Sequence, residues 1–428
     1  MRRSPFRRWG VTPFAVVLAL LAFVASPLAQ AAPTPQASAL SRPKAPALPA
    51  GVHVKQMCPN PHAKKPTCDV RMWVGEGGHP LSAPGPVGGM TPLQIRNAYR
   101  LPYNAGKGQT VHLIEWGDVP TAESDLAVYR SYFGLPPCTT ANGCLKKVNK
   151  FYQSSPLPPA GDFITGVETS LDLAAVSAAC PQCNIVLVEA DVAQTDLTSL
   201  LDANYNAITV GGAKYVSNSW GACEDPTEIY ADPAFYNPGG VVTAGAGDFG
   251  YPGPCGTPGP AYPAASPNVV AVGETLLTPA ANQRGWAESA SSSTGSGCST
   301  VETAPAWQQS ASQAAGCNGR RVANDLALAG DPAGGALAIY DTYLTSSGWH
   351  VVGGTSESAP LAAAMFAMAG PPDPQGAAAR LYTRPWAVND ITAGSNGTCT
   401  PAILCTAGPG WDAPSGVGSP TSLALFNP

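Results

Sequence analysis

The sequence predicts an α/β protein built on a doubly wound, mostly parallel sheet with helices on both faces. Two observations carry this expectation. Apolar runs at Val111 to Glu115, Ile185 to Glu189 and Val241 to Ala244 are too short for helices and too continuous for strands with one wet face. Stretches of helical character lie between such runs, at Glu123 to Phe133, Gly166 to Ala179 and from Asp196 to Tyr205. Further strands are expected at Tyr215 to Ser219 and Val269 to Val272, and the run Trp349 to Val352 leads into a glycine pair. In sheets of this kind reactive groups gather beyond the carboxyl ends of the strands. Three segments fall there: Ser219-Trp220-Gly221, Gly247-Asp248-Phe249-Gly250 and Gly354-Thr355-Ser356.

The amino-terminal part reads differently. Residues 1–31 carry Arg2, Arg3, Arg7 and Arg8, an apolar run from Phe14 to Val24, and Ala29-Gln30-Ala31, the three-part layout of a secretory signal. The apolar run is too short to span a bilayer, so the mature protein is expected to be soluble, extracellular and free of the membrane. Residues 32–90 are rich in Pro, Gly, Ala and Lys with little periodicity. They are expected to form a leader or linker, a short pro-region with one disulfide loop and no folded core. Residues 91–428 are expected to form one domain.

Export bears on the 12 cysteines, because an oxidising compartment pairs thiols and removes them as metal ligands. Their spacing predicts local pairs: Cys58 with Cys68, Cys138 with Cys144, Cys180 with Cys183, Cys223 with Cys255, Cys298 with Cys317, and Cys399 with Cys405. Loss of the signal leaves 19 basic and 28 acidic residues and a net charge of −9, which excludes a nucleic-acid binder with a clustered basic face. Only 12% of residues are charged, so protonating the carboxylates adds little self-repulsion, which suits a fold that persists in acid.

The chemistry begins at Ser356. The glycines before it permit a tight strand-to-helix turn, and the helix amino end presents backbone N–H groups that favour developing negative charge. A hydroxyl nucleophile also needs a base and an oxyanion donor. Glu168 and Asp172 project from one helical face a turn apart amid apolar residues, so they repel unless they share a proton and leave one member ionised as a base. Asp248, flanked by glycine and phenylalanine after an apolar run, is a candidate neutral acid donating to the oxyanion. Of the 5 histidines, His53, His62 and His79 lie in the leader and His112 opens an early strand. His350 precedes the nucleophile loop on a strand and lacks the setting of a triad base. Near the carboxyl end, Asp390 and Asp412 bracket a glycine-rich loop, a pairing of acids with exposed carbonyls that suits a hard cation such as calcium.

From Thr91 to Pro428 the chain resembles the sedolisin family of serine-carboxyl peptidases, acid-acting relatives of the subtilisin fold. The likeness rests on the Glu-x-x-x-Asp pair at Glu168 and Asp172, the Gly-Asp-x-Gly at Asp248 and the Gly-Thr-Ser at Ser356. It implies Ser356 as nucleophile, Glu168 as general base, Asp172 as its supporting carboxyl and Asp248 as oxyanion donor. It also implies a Ca2+ site using the side chains of Asp390 and Asp412 and the backbone carbonyls of Ile391, Gly408 and Gly410. The expected activity is hydrolysis of polypeptide substrates by a monomeric secreted endopeptidase through an acyl-enzyme. The alternatives are a tripeptidyl-type exopeptidase, or a non-catalytic binding protein on the same scaffold. The chain departs from the family pattern at Glu357, at Ala244-Gly245-Ala246 and at Glu115, and it is expected to lack a prosegment of the family's usual length.

Overall fold

The computed structural model describes residues 46–428 except 82, 84, 87, 193–196, 257, 371–375 and 428, so the expected signal at 1–31 and the leader up to residue 45 lie outside the described residues. Three short strands come first: β1 (His53–Gln56), β2 (Thr67–Cys68) and β3 (Arg71–Val74). Helix α1 (Pro92–Tyr99) opens the domain with a reciprocal cap. The Thr91 side chain accepts the Gln94 N–H, the Gln94 side chain accepts the Thr91 N–H, and Pro92 supplies a first-turn φ that needs no donor.

The central sheet holds β4 (Thr110–Trp116), β5 (Leu145–Asn149), β6 (Asn184–Ala190), β7 (Tyr215–Asn218), β9 (Val241–Gly245), β10 (Val270–Pro279) and β11 (Trp286–Ala290), while β8 (Trp220–Gly221) lies just past β7. The order across the sheet is β11-β10-β9-β7-β4-β6-β5, parallel throughout except for the antiparallel edge β11. Strands β6, β7 and β9 are buried along almost every residue. Successive side chains point to opposite sides, so both faces of the sheet are covered. Helices α2 (Ala122–Tyr132), α3 (Phe163–Ala179) and α4 (Thr198–Thr209) fall in the connections, as a parallel sheet requires. After the antiparallel pair β12 (Gly297–Thr303) and β13 (Arg320–Ala323), with the short helix α5 (Gln309–Ala314) between them, strand β14 (Leu326–Ala329) joins β10 in parallel.

A second sheet forms from β15 (Leu337–Asp341) and β16 (Gly348–Gly353), with the order β1-β3-β16-β15. Here the structure differs from expectation, because part of the leader is folded into the domain. Val70, just before β3, and Met72 and Val74 within it are buried at 3% exposure or less, while β3 pairs antiparallel with β16. The burial supplies what local composition does not, since a strand this short has no stability alone. From β16 the chain turns through Gly354 into α6 (Thr355–Ala369), which packs against α3, β7 and β9. All six expected disulfides are present.

Candidate active site

The turn between β16 and α6 is open only to glycine. Gly354 has φ 132°, and a β-carbon there would come within 2.1 Å of the Asp69 carbonyl oxygen and 2.4 Å of Asp248 Oδ2. This turn puts Ser356 in the first turn of α6, fully buried. Its hydroxyl donates to the Ser219 carbonyl at 3.2 Å and accepts the Asp69 N–H at 3.2 Å, while its own N–H reaches the Asp69 carbonyl at 3.3 Å.

Helix α3 is capped at its start by Asp162, which accepts the Thr165 N–H at 2.9 Å. It carries Glu168 and Asp172 on one buried face turned to α6. Glu168 stands beside the Ser356 hydroxyl, yet neither of its oxygens lies in good hydrogen-bond geometry with a donor. Burial first, then the Asp172 charge, lifts its pKa well above the ordinary value, and the Ser356 hydroxyl pulls it partly back. Asp172 is fully buried and accepts the Ser219 hydroxyl at 2.9 and 3.0 Å. Burial raises it to about 8, opposed by Ser219 and by the adjoining Glu115 carboxyl. Glu115, at the end of β4, completes a buried row of three acids, its own pKa raised by burial and then by Asp172 and Glu168. Three carboxyls in one dry space cannot all ionise, so they hold protons in common.

Asp248 approaches the other side of Ser356 from the loop after β9. Its Oδ1 accepts the Thr355 N–H at 2.7 Å and the Thr355 hydroxyl at 3.0 Å, while Oδ2 is buried without a hydrogen bond and faces the space over Gly354. Burial raises its pKa, against the lowering effect of Arg71, whose Nε lies 3.7 Å away.

The four residues singled out from sequence thus converge on one buried point. Sequence reasoning did not place Glu115 in the row, made no use of Ser219 as the clamp on Asp172, and assigned Asp69 and Arg71 to an unfolded leader. Glu357 does not join the group described above. It accepts the Leu337 N–H at 3.0 Å and ties α6 to β15, with its pKa raised chiefly by burial. His350 is engaged on both nitrogens, with Ser346 at 2.8 Å and the Leu81 carbonyl at 2.7 Å, and His112 bonds Tyr152 at 2.9 Å. Among the described residues no histidine hydrogen-bonds to Ser356.

The carboxyl-terminal loop gathers the other expected set. Asp390 accepts the Gly410 N–H at 3.2 and 3.0 Å, and Asp412, buried, accepts the Gly408 N–H at 2.9 Å and the Ser415 N–H and hydroxyl at 2.9 and 2.8 Å. The carbonyls of Ile391, Gly408 and Gly410 accept no hydrogen bond from the described residues. Burial raises Asp412 to about 7, and the nearby Asp390 charge adds to this. Two mutually repelling carboxylates and free carbonyls make an all-oxygen donor set, which fits a hard cation. Asn396, the acceptor of an Asn-x-Thr sequon, is buried and spends its amide on the Thr294 carbonyl at 2.6 Å and Ser296 Oγ at 2.8 Å, so it is no exposed glycosylation point.

No family model matches the chain. It is 33% identical over 370 residues to kumamolisin of Bacillus sp. (strain MN-32), covering 78% of this chain and 63% of that protein. It is 29% identical over 343 residues to sedolisin of Pseudomonas sp. (strain 101), covering 72% and 56% respectively. The chain therefore spans less than two thirds of the length of these curated relatives. Among solved structures, Pseudomonas sedolisin, a serine-carboxyl proteinase complexed with two molecules of pseudo-iodotyrostatin, superposes with a TM-score of 0.64. The match covers 80% of this chain and 98% of that one at 24% identity, a likeness of fold.

Proposed function

We propose that the chain belongs to the sedolisin family, whose subtilisin-like fold it shares, and that it is an exported, acid-acting serine-carboxyl endopeptidase. The observation that carries this reading is the Ser356 hydroxyl at a helix amino end, beside Glu168 and with no imidazole bonded to it among the described residues. The signal-like layout of residues 1–31 supports export, and among the described residues no helix is long and apolar enough to cross a membrane.

In the proposed reaction Ser356 Oγ attacks a peptide carbonyl and its proton passes to Glu168. Asp172, clamped by Ser219 and backed by Glu115, takes up the shared proton so that Glu168 can act as the ionised member of the row. Asp248 is the neutral acid whose Oδ2, free of other donors, turns toward the forming oxyanion together with the Ser356 N–H. Glu168 then protonates the departing amine, and water enters by the reverse path to release the acyl group. The experiment is digestion in acid of an unfolded polypeptide blocked at its amino terminus. Internal fragments are expected. No cleavage of the blocked chain, beside tripeptide release from the same chain unblocked, would move the reading to an exopeptidase.

Calcium belongs to the same proposal, held by Asp390, Asp412 and the carbonyls of Ile391, Gly408 and Gly410, where it would neutralise the paired acids and fix the loop. A cation bound only by the folded loop adds about 2.7 kcal/mol at a hundredfold excess over its Kd. Chelation and Asp412→Ala are each expected to lower the thermal midpoint, and the two losses should not add. A midpoint indifferent to chelator would remove calcium from the account.

A further inference from the structure

Part of the expected leader runs directly past Ser356. Thr67 and Cys68 pair antiparallel with Gly221 and Trp220, adding a strand to the backbone edge that leads to the nucleophile. The next residue, Asp69, meets Ser356 with both backbone groups, its N–H on the hydroxyl and its carbonyl on the Ser356 N–H. That carbonyl oxygen and Asp248 Oδ2 converge on the same small space over Gly354. An acid with a free oxygen and a backbone N–H thus surround a carbonyl, the setting the proposed reaction needs for the carbonyl under attack.

The Asp69 side chain fills a recess of its own. It is 1% exposed, accepts the Asp248 N–H, and would lie 3.7 Å from a β-carbon at Gly221 and 4.0 Å from one at Gly247. The Ala261 methyl closes over both glycines, 2.9 and 3.8 Å from the same positions. Such a recess admits a short side chain and offers it a hydrogen-bond donor. Beyond Asp69 the segment is stitched down, because Arg71 pairs with Glu274 and bonds Ser293 Oγ at 3.0 Å, and β3 runs beside β16. On the near side the Cys58–Cys68 disulfide stands within 4.8 Å of a Glu168 oxygen.

We propose that Thr67–Asp69 lies in the cleft as the acyl half of a peptide substrate lies, with Asp69 at the residue whose carbonyl faces Ser356. The recess around its side chain then selects short polar side chains at that position of a substrate. The inference rests on the peptidase reading for its substrate meaning, and on geometry alone for the occupancy. Free substrate competes with this segment, so releasing it raises turnover by the inverse of the open fraction.

The test uses the full chain. Asp69→Arg is too large for the recess, whereas Asp69→Asn keeps its shape, and Thr67→Pro withdraws a strand donor without adding bulk to the recess. In acid, turnover of a blocked unfolded polypeptide should rise about tenfold or more in Asp69→Arg and in Thr67→Pro, and stay near wild type in Asp69→Asn. Fragments should end mainly in Asp, Asn, Ser or Thr. Equal turnover in all forms overturns the occupancy, and fragments ending mainly in Leu, Phe or Arg overturn the recess. A second readout needs no catalysis. On a Ser356→Ala background, amides of 67–68 and 220–221 should exchange slowly, and quickly once Asp69→Arg is added. A synthetic peptide copying residues 63–70 with Cys68→Ser should restore slow exchange at 220–221, and its Asp69→Arg form should not. Slow exchange in both chains, or restoration by both peptides, sinks the proposal. If exchange behaves as expected while no form cuts any substrate, the peptidase reading fails and the occupancy stands.

Discussion

Replacing Ser356 by alanine is expected to lower turnover of an unfolded polypeptide by on the order of 10⁵-fold, because nucleophile and base act as one unit and the loss of either removes the covalent path. The fold should survive the change. The hydroxyl makes one bond to the Ser219 carbonyl and receives one from Asp69, and losing such buried partners costs about 1–3 kcal/mol each. Helix α6 keeps its Gly354 turn, and Asp248 keeps its hold on Thr355. Turnover within about tenfold of wild type in a folded Ser356→Ala protein would take the nucleophile away from this position.

The fold itself is expected to be more stable in acid than at neutral pH. Burial is the leading cause that lifts Asp341 to about 6, Asp172, Glu189 and Glu274 to about 8, and Glu228 to about 9, with Glu168 and Asp248 raised as well. Each of these groups has a folded pKa above its unfolded value. Its contribution is therefore fully present below about pH 4 and is lost as pH rises through the folded pKa. The window of loss begins near the unfolded pKa of about 4 and is complete by about pH 9 for the values cited. The thermal midpoint should fall by on the order of 10 °C across it, measured at constant ionic strength. A midpoint that rises between acid and neutral pH would mean that these carboxyls are ionised and paired in the native state.

Much of this was legible in the chain because the informative patterns are local. A glycine pair before Ser356, two acids a turn apart in an apolar helix, and an aspartate after a buried strand each announce themselves within a few residues. The cysteine pairs were readable for the same reason, as the separations run from 3 to 32 residues. What stayed hidden depends on distant partners. Strand β3 has four residues among prolines and glycines and becomes an inner strand by pairing with β1 on one side and, on the other, with β16, which lies far along the chain. Glu115 looked like an irregular strand end until parallel pairing brought β4 beside the helix bearing Asp172. Asp69 showed nothing in sequence to mark it, since an aspartate after a cysteine in a proline-rich leader is an ordinary turn residue. Glu357 shows the converse error of local reading. Its position next to Ser356 marks it only as a departure from the family pattern, whereas its side chain holds a strand of the second sheet.

The claim on which the rest depends is that carboxyl groups, and no imidazole, activate the Ser356 hydroxyl. Its most direct test is kcat/KM on an unfolded polypeptide from about pH 2 to about pH 8, for wild type and Glu168→Gln, each with and without Asp69→Arg. A bell on the acid side of neutrality is expected, its acid limb set by loss of the first proton from the shared Glu168 row, ahead of the later losses, and its upper limb by ionisation of Asp248, with Glu168→Gln flat and close to background. An optimum near pH 8, or an unchanged profile in Glu168→Gln, would contradict it.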